Sequence, residues 1–144
     1  MCDAVSLCDV NDTDVEYFTY RGRVMDVKIT NVYDGDTFTG CFWDAGTLRK
    51  YKFRCNGYDS GELRQPKDRE DREQAKAKGQ MDRQYFMDLV DRHTNGTRVI
   101  ACLMGDFDKY GRILADLPAD GAINREMISS GHGYVYNGGT KQIN

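Results

Sequence analysis

The 144-residue chain has the length of one domain, and its 40% hydrophobic and 30% charged residues exclude global disorder. The net charge of −3 excludes nucleic-acid binding that is driven by bulk positive charge. The chain shows no basic segment followed by an apolar run and no apolar stretch of membrane-spanning length. Neither a conventional export signal nor a membrane partner is therefore expected.

The acidic residues are concentrated at the start of the chain. Residues 1–16 contain five acidic side chains and no Lys or Arg, and the rest of the chain has 18 acidic residues against 20 basic ones. Residues 1–16 also lack hydrophobic periodicity. We predict that they form a mobile tail and that residues 17–144 form the folded domain. Any binding of nucleic acid must then come from a local site.

The cysteines are odd in number and contain no C-x-x-C pair. Three of the five lie in predicted strands, where a buried, reduced thiol is common; the five are Cys2, Cys8, Cys41, Cys55 and Cys102. This usage predicts an intracellular protein in a reducing compartment, without a structural zinc site.

Alternating apolar and polar residues predict most of the strands. A segment rich in aromatic and β-branched residues at 15–20 predicts a short first strand. The five main strands are predicted at 23–33, 37–42, 47–55, 97–103 and 112–117.

Two helices complete the predicted fold. The longer one, at 68–93, follows the third main strand and has an apolar stripe of Met81, Tyr85, Phe86, Leu89 and Val90. The shorter one is predicted at 122–130. This order predicts an α+β, mainly β fold: a five-stranded antiparallel barrel of the oligonucleotide-binding (OB-fold) type, with a long helix after strand three and a short C-terminal helix.

The stretch Asp34-Gly35-Asp36-Thr37 joins the first two main strands. Asp-Gly is a strong signal for a two-residue turn, because Gly tolerates a positive φ without steric cost. Asp36 is expected to open the second strand and so to be held on a rigid element. Taken alone, the motif also fits a hairpin turn without any chemical role.

Charged residues recur where the predicted strands begin and end. Asp36 opens strand two, Arg54 closes strand three with Asp59 and Glu62 just after it, and Arg112 opens strand five. Carboxylate oxygens suit Ca²⁺ or Mg²⁺, and Arg binds phosphate and stabilises charge that develops on it. A further carboxylate can activate water as a general base.

Each of these residues also has a structural interpretation. Asp36 could only stabilise its turn, and Asp59 and Glu62 could be solvated loop acids. Arg54 could form a surface ion pair with Glu62, worth at most ~1 kcal/mol. His132 is expected to be a loop residue without a catalytic role.

Several motifs occur together in an order that resembles the staphylococcal nuclease (thermonuclease) family, over residues 24–136. They are Asp34-Gly35-Asp36-Thr37, the combined motif of Phe53-Arg54 followed by Tyr58-Asp59-Ser60-Gly61-Glu62, Asp108-Lys109-Tyr110-Gly111-Arg112, and Asn124 seven residues before Gly131. Each motif alone is weak, but four in order at compatible spacing are a strong signal.

The resemblance implies a calcium-dependent phosphodiesterase that cuts DNA and RNA. We also expect single-stranded nucleic acid to be the preferred partner and the chain to be a monomer. The resemblance implies that one Ca²⁺ ion is held by Asp36, Asp59 and the backbone carbonyl of Ser60. It further implies that Glu62 orients or deprotonates the attacking water, and that Arg54 and Arg112 hold the oxygens of the scissile phosphate.

The resemblance also implies residues that contact the rest of the nucleic-acid strand. Lys109 and Tyr110 would contact a neighbouring phosphate, although both also fit a plain surface role. Tyr136, with Tyr134 beside it, lies close to the position of the family's nucleotide-stacking tyrosines. Gly61 stands where the family usually has Pro, and we expect it to loosen the loop that carries Glu62.

A second function class fits the same barrel. Degenerate domains of this family bind single strands without cutting them, and in those domains the acids and arginines are usually lost. Because this chain retains every one of them, we expect an enzyme.

Overall fold

The computed structural model describes residues 5–61 and 70–135. Two short 3-10 turns, Leu7–Asp9 and Asp12–Asp14, precede the strands. The strands are β1 (Val24–Asp34), β2 (Thr37–Asp44), β3 (Thr47–Cys55), β4 (Tyr58–Asp59), β5 (Val99–Phe107), β6 (Ile113–Asp116) and β7 (Tyr134–Val135). The helices are α1 (Arg72–Thr94), between β4 and β5, and α2 (Ala122–Ser129), between β6 and β7.

Five of the strands close into a barrel in the order β1-β2-β3-β6-β5. The predicted five-stranded barrel with its long and short helices is therefore confirmed. Its pairing is mixed rather than purely antiparallel, since β3 and β6 run parallel. The reason is geometric: a closed ring with an odd number of strands cannot alternate direction at every neighbour, so at least one pair must be parallel.

Aliphatic and aromatic side chains together fill the core, and stacked phenylalanines lie at its centre. Phe38 and Phe53 stack with their ring centroids 5.0 Å apart, and Phe86 of α1 lies 6.0 Å from Phe38. Phe86, Leu89 and Val90 are buried, as the predicted stripe on this helix requires. Met81, by contrast, is 61% exposed, so its place in that stripe is wrong.

The segment before β1 closes one end of the barrel with a single side chain. Tyr20 is 2% exposed, packs edge-on against Phe42 at 5.3 Å, and donates a hydrogen bond from its hydroxyl to Asp44 at 2.8 Å. The predicted strand at 15–20 is wrong, because this segment makes no strand pairing. Residues 5–16, within the predicted tail, are all exposed.

A second, two-stranded sheet lies beside the barrel. It pairs Tyr58 with Val135 and Asp59 with Tyr134. Nothing in the sequence predicts it, since both strands are two residues long and fall in segments that lack alternation. The sheet brings the segment after β3 against the end of the described chain.

Buried polar contacts also attach α2 to the barrel. The Asn124 side chain accepts a hydrogen bond from the backbone N–H of Leu117 at 2.8 Å and donates to the carbonyls of Asn56 and Ala115 at 2.9 and 3.2 Å. Asn124 therefore connects α2 to the residues that follow β3 and β6.

The described cysteines do not form disulfides with one another, and Cys55 and Cys102 are buried among apolar residues. Burial raises the pKa of the Cys55 thiol to about 12. No helix in the described parts of the chain is both long and apolar enough to cross a bilayer.

Replacing Tyr20 with Phe tests how the barrel is closed. Burial and the hydrogen bond to Asp44 raise the pKa of Tyr20 to about 12. Because the folded state favours the neutral phenol, this stabilisation is complete below pH 10 and is lost as the pH rises towards 12. We expect Tyr20→Phe to lower the free energy of unfolding at pH 8 by about 2 kcal/mol, the contribution of a hydrogen bond to a charged group.

Urea unfolding at pH 8 and at pH 10 to 11 measures both effects. The alkaline loss of stability should be smaller in Tyr20→Phe than in the unmodified chain. Tyr17→Phe is the matched control, because Tyr17 is 99% exposed. Equal behaviour of the two variants would contradict this role of Tyr20.

Candidate functional site

The turn between β1 and β2 forms one side of the site. Asp34 pairs with Thr37, so Gly35 and Asp36 are the two turn residues, and Asp36 precedes β2 rather than opening it. Gly35 does not have the left-handed backbone expected of it. Position 35 has no space for a side chain, because a Cβ there would lie 2.9 Å from the Cβ of Ser60 and 3.0 Å from the backbone oxygen of Asp82.

Asp36 is the centre of the hydrogen bonding around this turn and is 3% exposed. Its Oδ1 accepts from the Thr37 hydroxyl at 2.9 Å. Its Oδ2 accepts from Arg54 Nη1 at 3.0 Å and from the backbone N–H of Ser60 at 3.1 Å. Asp36 therefore does more than stabilise its own turn, because it also holds the end of β3 and the segment after β4.

Arg54 lies between two carboxylates at the end of β3. Its Nη1 donates to Asp36, and its Nη2 donates to Asp59 and to the carbonyl of Tyr58. Arg54 is 9% exposed, so its ion pairs are not at the surface, and Glu62, the partner considered for it in the sequence, lies outside the described residues. Burial acts to lower the pKa of Arg54, but the charge of Asp36 and the hydrogen bond to Asp59 outweigh it, and the pKa is raised.

Asp59 and Ser60 are fixed by the small sheet and by Tyr58. The Tyr58 hydroxyl donates to the carbonyl of Gly35 at 2.6 Å, which joins β4 to the hairpin turn. Burial raises the pKa of Tyr58 well above its ordinary value, so the phenol keeps this proton. Asp59 is 4% exposed and is therefore not a solvated loop acid.

Gly61 is attached to α1. Its backbone N–H donates to Asp82 Oδ2 at 2.8 Å, and a Cβ at this position would lie 3.0 Å from the backbone of Gly79. The Pro that the family usually has here lacks this N–H and would need space that α1 occupies. The sequence predicts a looser loop at Gly61. The structure shows a hydrogen bond from Gly61 to Asp82 that this prediction did not include.

Asp82 is a site residue that the sequence analysis missed. It is fully buried, and its Oδ1 lies 2.7 Å from Lys78 Nζ and 2.8 Å from His132 Nδ1. The available signal was helical spacing, because Asp82 precedes Phe86 and Leu89 by four and seven residues and so occupies the buried face of α1. His132, predicted to be a plain loop residue, contacts this carboxylate.

A second cluster forms around the turn between β5 and β6. Asp108 accepts from Arg112 Nε at 2.6 Å and from the backbone N–H groups of Tyr110 and Arg112 at 2.9 Å. Burial acts to raise the pKa of Asp108, but these hydrogen bonds outweigh it, and the pKa is lowered. The exposed Tyr110 ring lies 5.1 Å from Lys109 Nζ and 5.3 Å from Arg112 Cζ.

The strand register relates the two clusters to each other. Arg54 pairs with Leu114 of β6, and Arg112 lies one residue before β6 begins rather than opening it. By standard strand spacing, the Cα atoms of Arg54 and Arg112 are about 8 Å apart. Among the described residues, no hydrogen bond or ion pair joins Arg112 to Asp36 or Asp59. Two other predicted site residues, Glu62 and Tyr136, lie outside the residues that the structure describes.

The oxygen donors of the first cluster fit a calcium ion in kind. Asp36, Asp59 and the backbone carbonyl of Ser60 are hard ligands of the type that Ca²⁺ prefers. Within residues 5–61 and 70–135, no three His, Cys, Asp or Glu side chains are grouped so as to hold a metal. An ion would have to share Asp36 and Asp59 with Arg54, which donates to both.

Comparison of the chain with models of known protein families finds no match. Comparison with curated proteins finds none either. The similarity to the staphylococcal nuclease family therefore rests on the motifs of the sequence, and it stays a prediction.

Proposed function

We propose that the chain is a calcium-dependent endonuclease that hydrolyses phosphodiester bonds of DNA and RNA. The observation that carries the proposal is the meeting of Asp36 and Asp59 at the buried guanidinium of Arg54. These three residues come from a turn and two strands, and a buried cluster of charges is costly unless it is fully paired. Buried clusters of paired charges also occur at catalytic sites, and this supports the proposal.

The acidic residues have the first role in this proposal. Asp36, Asp59 and the Ser60 carbonyl would hold the calcium ion, which supplies positive charge beside the phosphate and promotes ionisation of water. Glu62 follows the anchored Gly61 in the chain and would accept the proton of the attacking water. The arginines would stabilise the charge that develops on the phosphate, Arg54 from β3 and Arg112 from the position just before β6.

The cluster around Tyr110 has the second role, binding the strand beside the cleaved bond. Tyr110 is 71% exposed, and two cations, Lys109 and Arg112, lie close to its ring. Exposed aromatic rings stack on bases, and the neighbouring cations attract phosphate. Bases are available for stacking in single strands, which makes single-stranded nucleic acid the preferred substrate. Tyr136 is proposed as a further contact to the strand.

A module that binds single strands without cutting them is the second candidate. One observation favours it: both arginines already donate to carboxylates of the protein, Arg54 to Asp36 and Asp59 and Arg112 to Asp108. Arginines engaged in this way can serve the fold alone. Cleavage assays separate the two candidates.

Removal of calcium and of Arg112 tests the proposed reaction. We expect the chain to cleave single-stranded DNA with Ca²⁺ and to stop when a chelator is added. Arg112→Ala should lower kcat about 100-fold, the usual loss when one donor to a developing charge is removed. Glu62→Gln should lower kcat as well.

Arg98→Ala is the matched control for Arg112→Ala. Arg98 also forms an ion pair with a carboxylate, Nε to Asp91 Oδ1 at 2.9 Å, on a different part of the surface. Cleavage that persists with chelator and in both Arg112→Ala and Glu62→Gln, at the rate of the Arg98→Ala control, would contradict the proposed mechanism. Binding that is weakened by Lys109→Ala, without cleavage under any condition, would favour the binding module.

Thermal unfolding with and without Ca²⁺ tests the ion site without an activity assay. An ion that binds only the folded chain adds about 2.7 kcal/mol of stability at a concentration one hundred times its Kd. We expect Ca²⁺ to raise the Tm of the unmodified chain and of Asp88→Asn, in which an exposed acid of α1 is changed. The rise should disappear in Asp59→Asn. An equal rise in Asp59→Asn would place the ion elsewhere.

A further inference from the structure

We propose that Asp82 is a positioning residue that sets the place of Asp59 and Ser60 in the site. This inference rests on the proposed function, because it assigns Asp82 to the same calcium-binding segment. Its basis is the position of the Asp82 carboxylate relative to the two-stranded sheet of β4 and β7.

The two oxygens of Asp82 contact the two segments that continue β4 and β7 beyond their pairing. Oδ2 accepts from the backbone N–H of Gly61, two residues after β4 ends. Oδ1 contacts His132 Nδ1, two residues before β7 begins. Because Asp59 pairs with Tyr134, continuing this antiparallel register would place Gly61 opposite His132. The carboxylate of Asp82 therefore connects the segments that continue β4 and β7, at the point where the backbone pairing of the two strands has ended.

The backbone of α1 at Asp82 also meets the hairpin turn. A Cβ on Gly35 would lie 3.0 Å from the Asp82 carbonyl oxygen. Gly35, the residue before Asp36, therefore packs against the backbone of α1 at Asp82. Asp82 thus lies against both segments that supply the proposed calcium ligands, the turn with Asp36 and the segment with Asp59 and Ser60.

The surroundings of Asp82 keep its charge balanced. Lys78 Nζ is 2.7 Å from Oδ1 and also donates to the carbonyl of Gly131 at 3.3 Å. The His132 ring stacks on Tyr85 with centroids 4.1 Å apart, which fixes the imidazole against α1. A buried carboxylate is costly to desolvate, and an apolar side chain at this position could fill the space without that cost. What an apolar residue cannot do is accept the Gly61 N–H.

Two variants at this position separate the acceptor from the charge. Asp82→Asn keeps an oxygen that can accept from Gly61, and Asp82→Ala removes it. Asp88→Ala is the control, because Asp88 lies on the exposed side of the same helix and accepts from Gln84 at 2.9 Å. Amide hydrogen exchange of ¹⁵N-labelled protein gives a readout that does not depend on activity.

We expect the Gly61 amide to exchange at least about 10-fold faster in Asp82→Ala, because it loses its acceptor. In Asp82→Asn, the amide should exchange within about 3-fold of the unmodified rate. The Cys55 amide, which donates to the Asp36 carbonyl at 2.7 Å, should keep its protection in every variant. A long-range HNCO experiment on the unmodified chain should show coupling between the Gly61 nitrogen and the Asp82 carboxyl carbon. Lack of that coupling, together with an unprotected Gly61 amide, would overturn the inference even if Asp82→Ala does not fold.

Cleavage kinetics test the link to function. We expect Asp82→Ala to lower kcat at least about 10-fold, because misplaced groups at a site slow the chemical step. Its KM for single-stranded DNA should stay within about 3-fold of the unmodified value. Asp82→Asn should recover most of kcat. Equal losses in Asp82→Asn and Asp82→Ala, or no loss in either, would overturn the positioning role. An unmodified chain that does not cleave would instead overturn the proposed function, and the exchange result would still report on Asp82.

Discussion

The ion-paired cluster of Asp36, Arg54 and Asp59 is the constraint on which the site depends. One guanidinium joins a hairpin turn, the end of a barrel strand and the short strand β4 that follows it, and all three side chains are largely buried. Removing Arg54 would leave two carboxylates buried together, and breaking a buried pair of this kind costs about 3 to 5 kcal/mol. The same cluster therefore stabilises the end of the barrel and fixes the distance between two potential cation ligands.

The segment around Ser60 is held from several directions, which suits a group that must be placed accurately. Asp36 accepts its amide, Tyr58 attaches it to the hairpin turn, β7 pairs with β4, and Asp82 accepts the next amide along. Preorganisation of this kind is what electrostatic catalysis requires, since groups that are already in place do not have to reorganise during the reaction. Binding of a single strand without cleavage depends instead on aromatic stacking and on positive charge along the backbone.

The sequence predicts the barrel and most of its strands because alternation along a half-buried strand is a local signal, as in β2 and β3. It also predicts that Asp36, Arg54 and Asp59 belong together, since each lies where a strand begins or ends. It could not predict the sheet of β4 and β7, whose strands are too short to show a pattern. Nor could it predict the anchor on Asp82, because the partners Gly61 and His132 lie far from Asp82 in sequence and carry no motif of their own. The Met81 error has a different, local origin, since a shift of one residue along α1 moves a side chain from the buried face to solvent.

A crystal structure of the chain with Ca²⁺ and a short phosphorothioate oligonucleotide tests the central claim most directly. We predict a calcium ion bound by Asp36, Asp59 and the Ser60 carbonyl, with Arg112 on an oxygen of the neighbouring phosphate and Tyr110 beside the strand. A calcium ion bound elsewhere, or an oligonucleotide that lies on another face of the barrel, would contradict it.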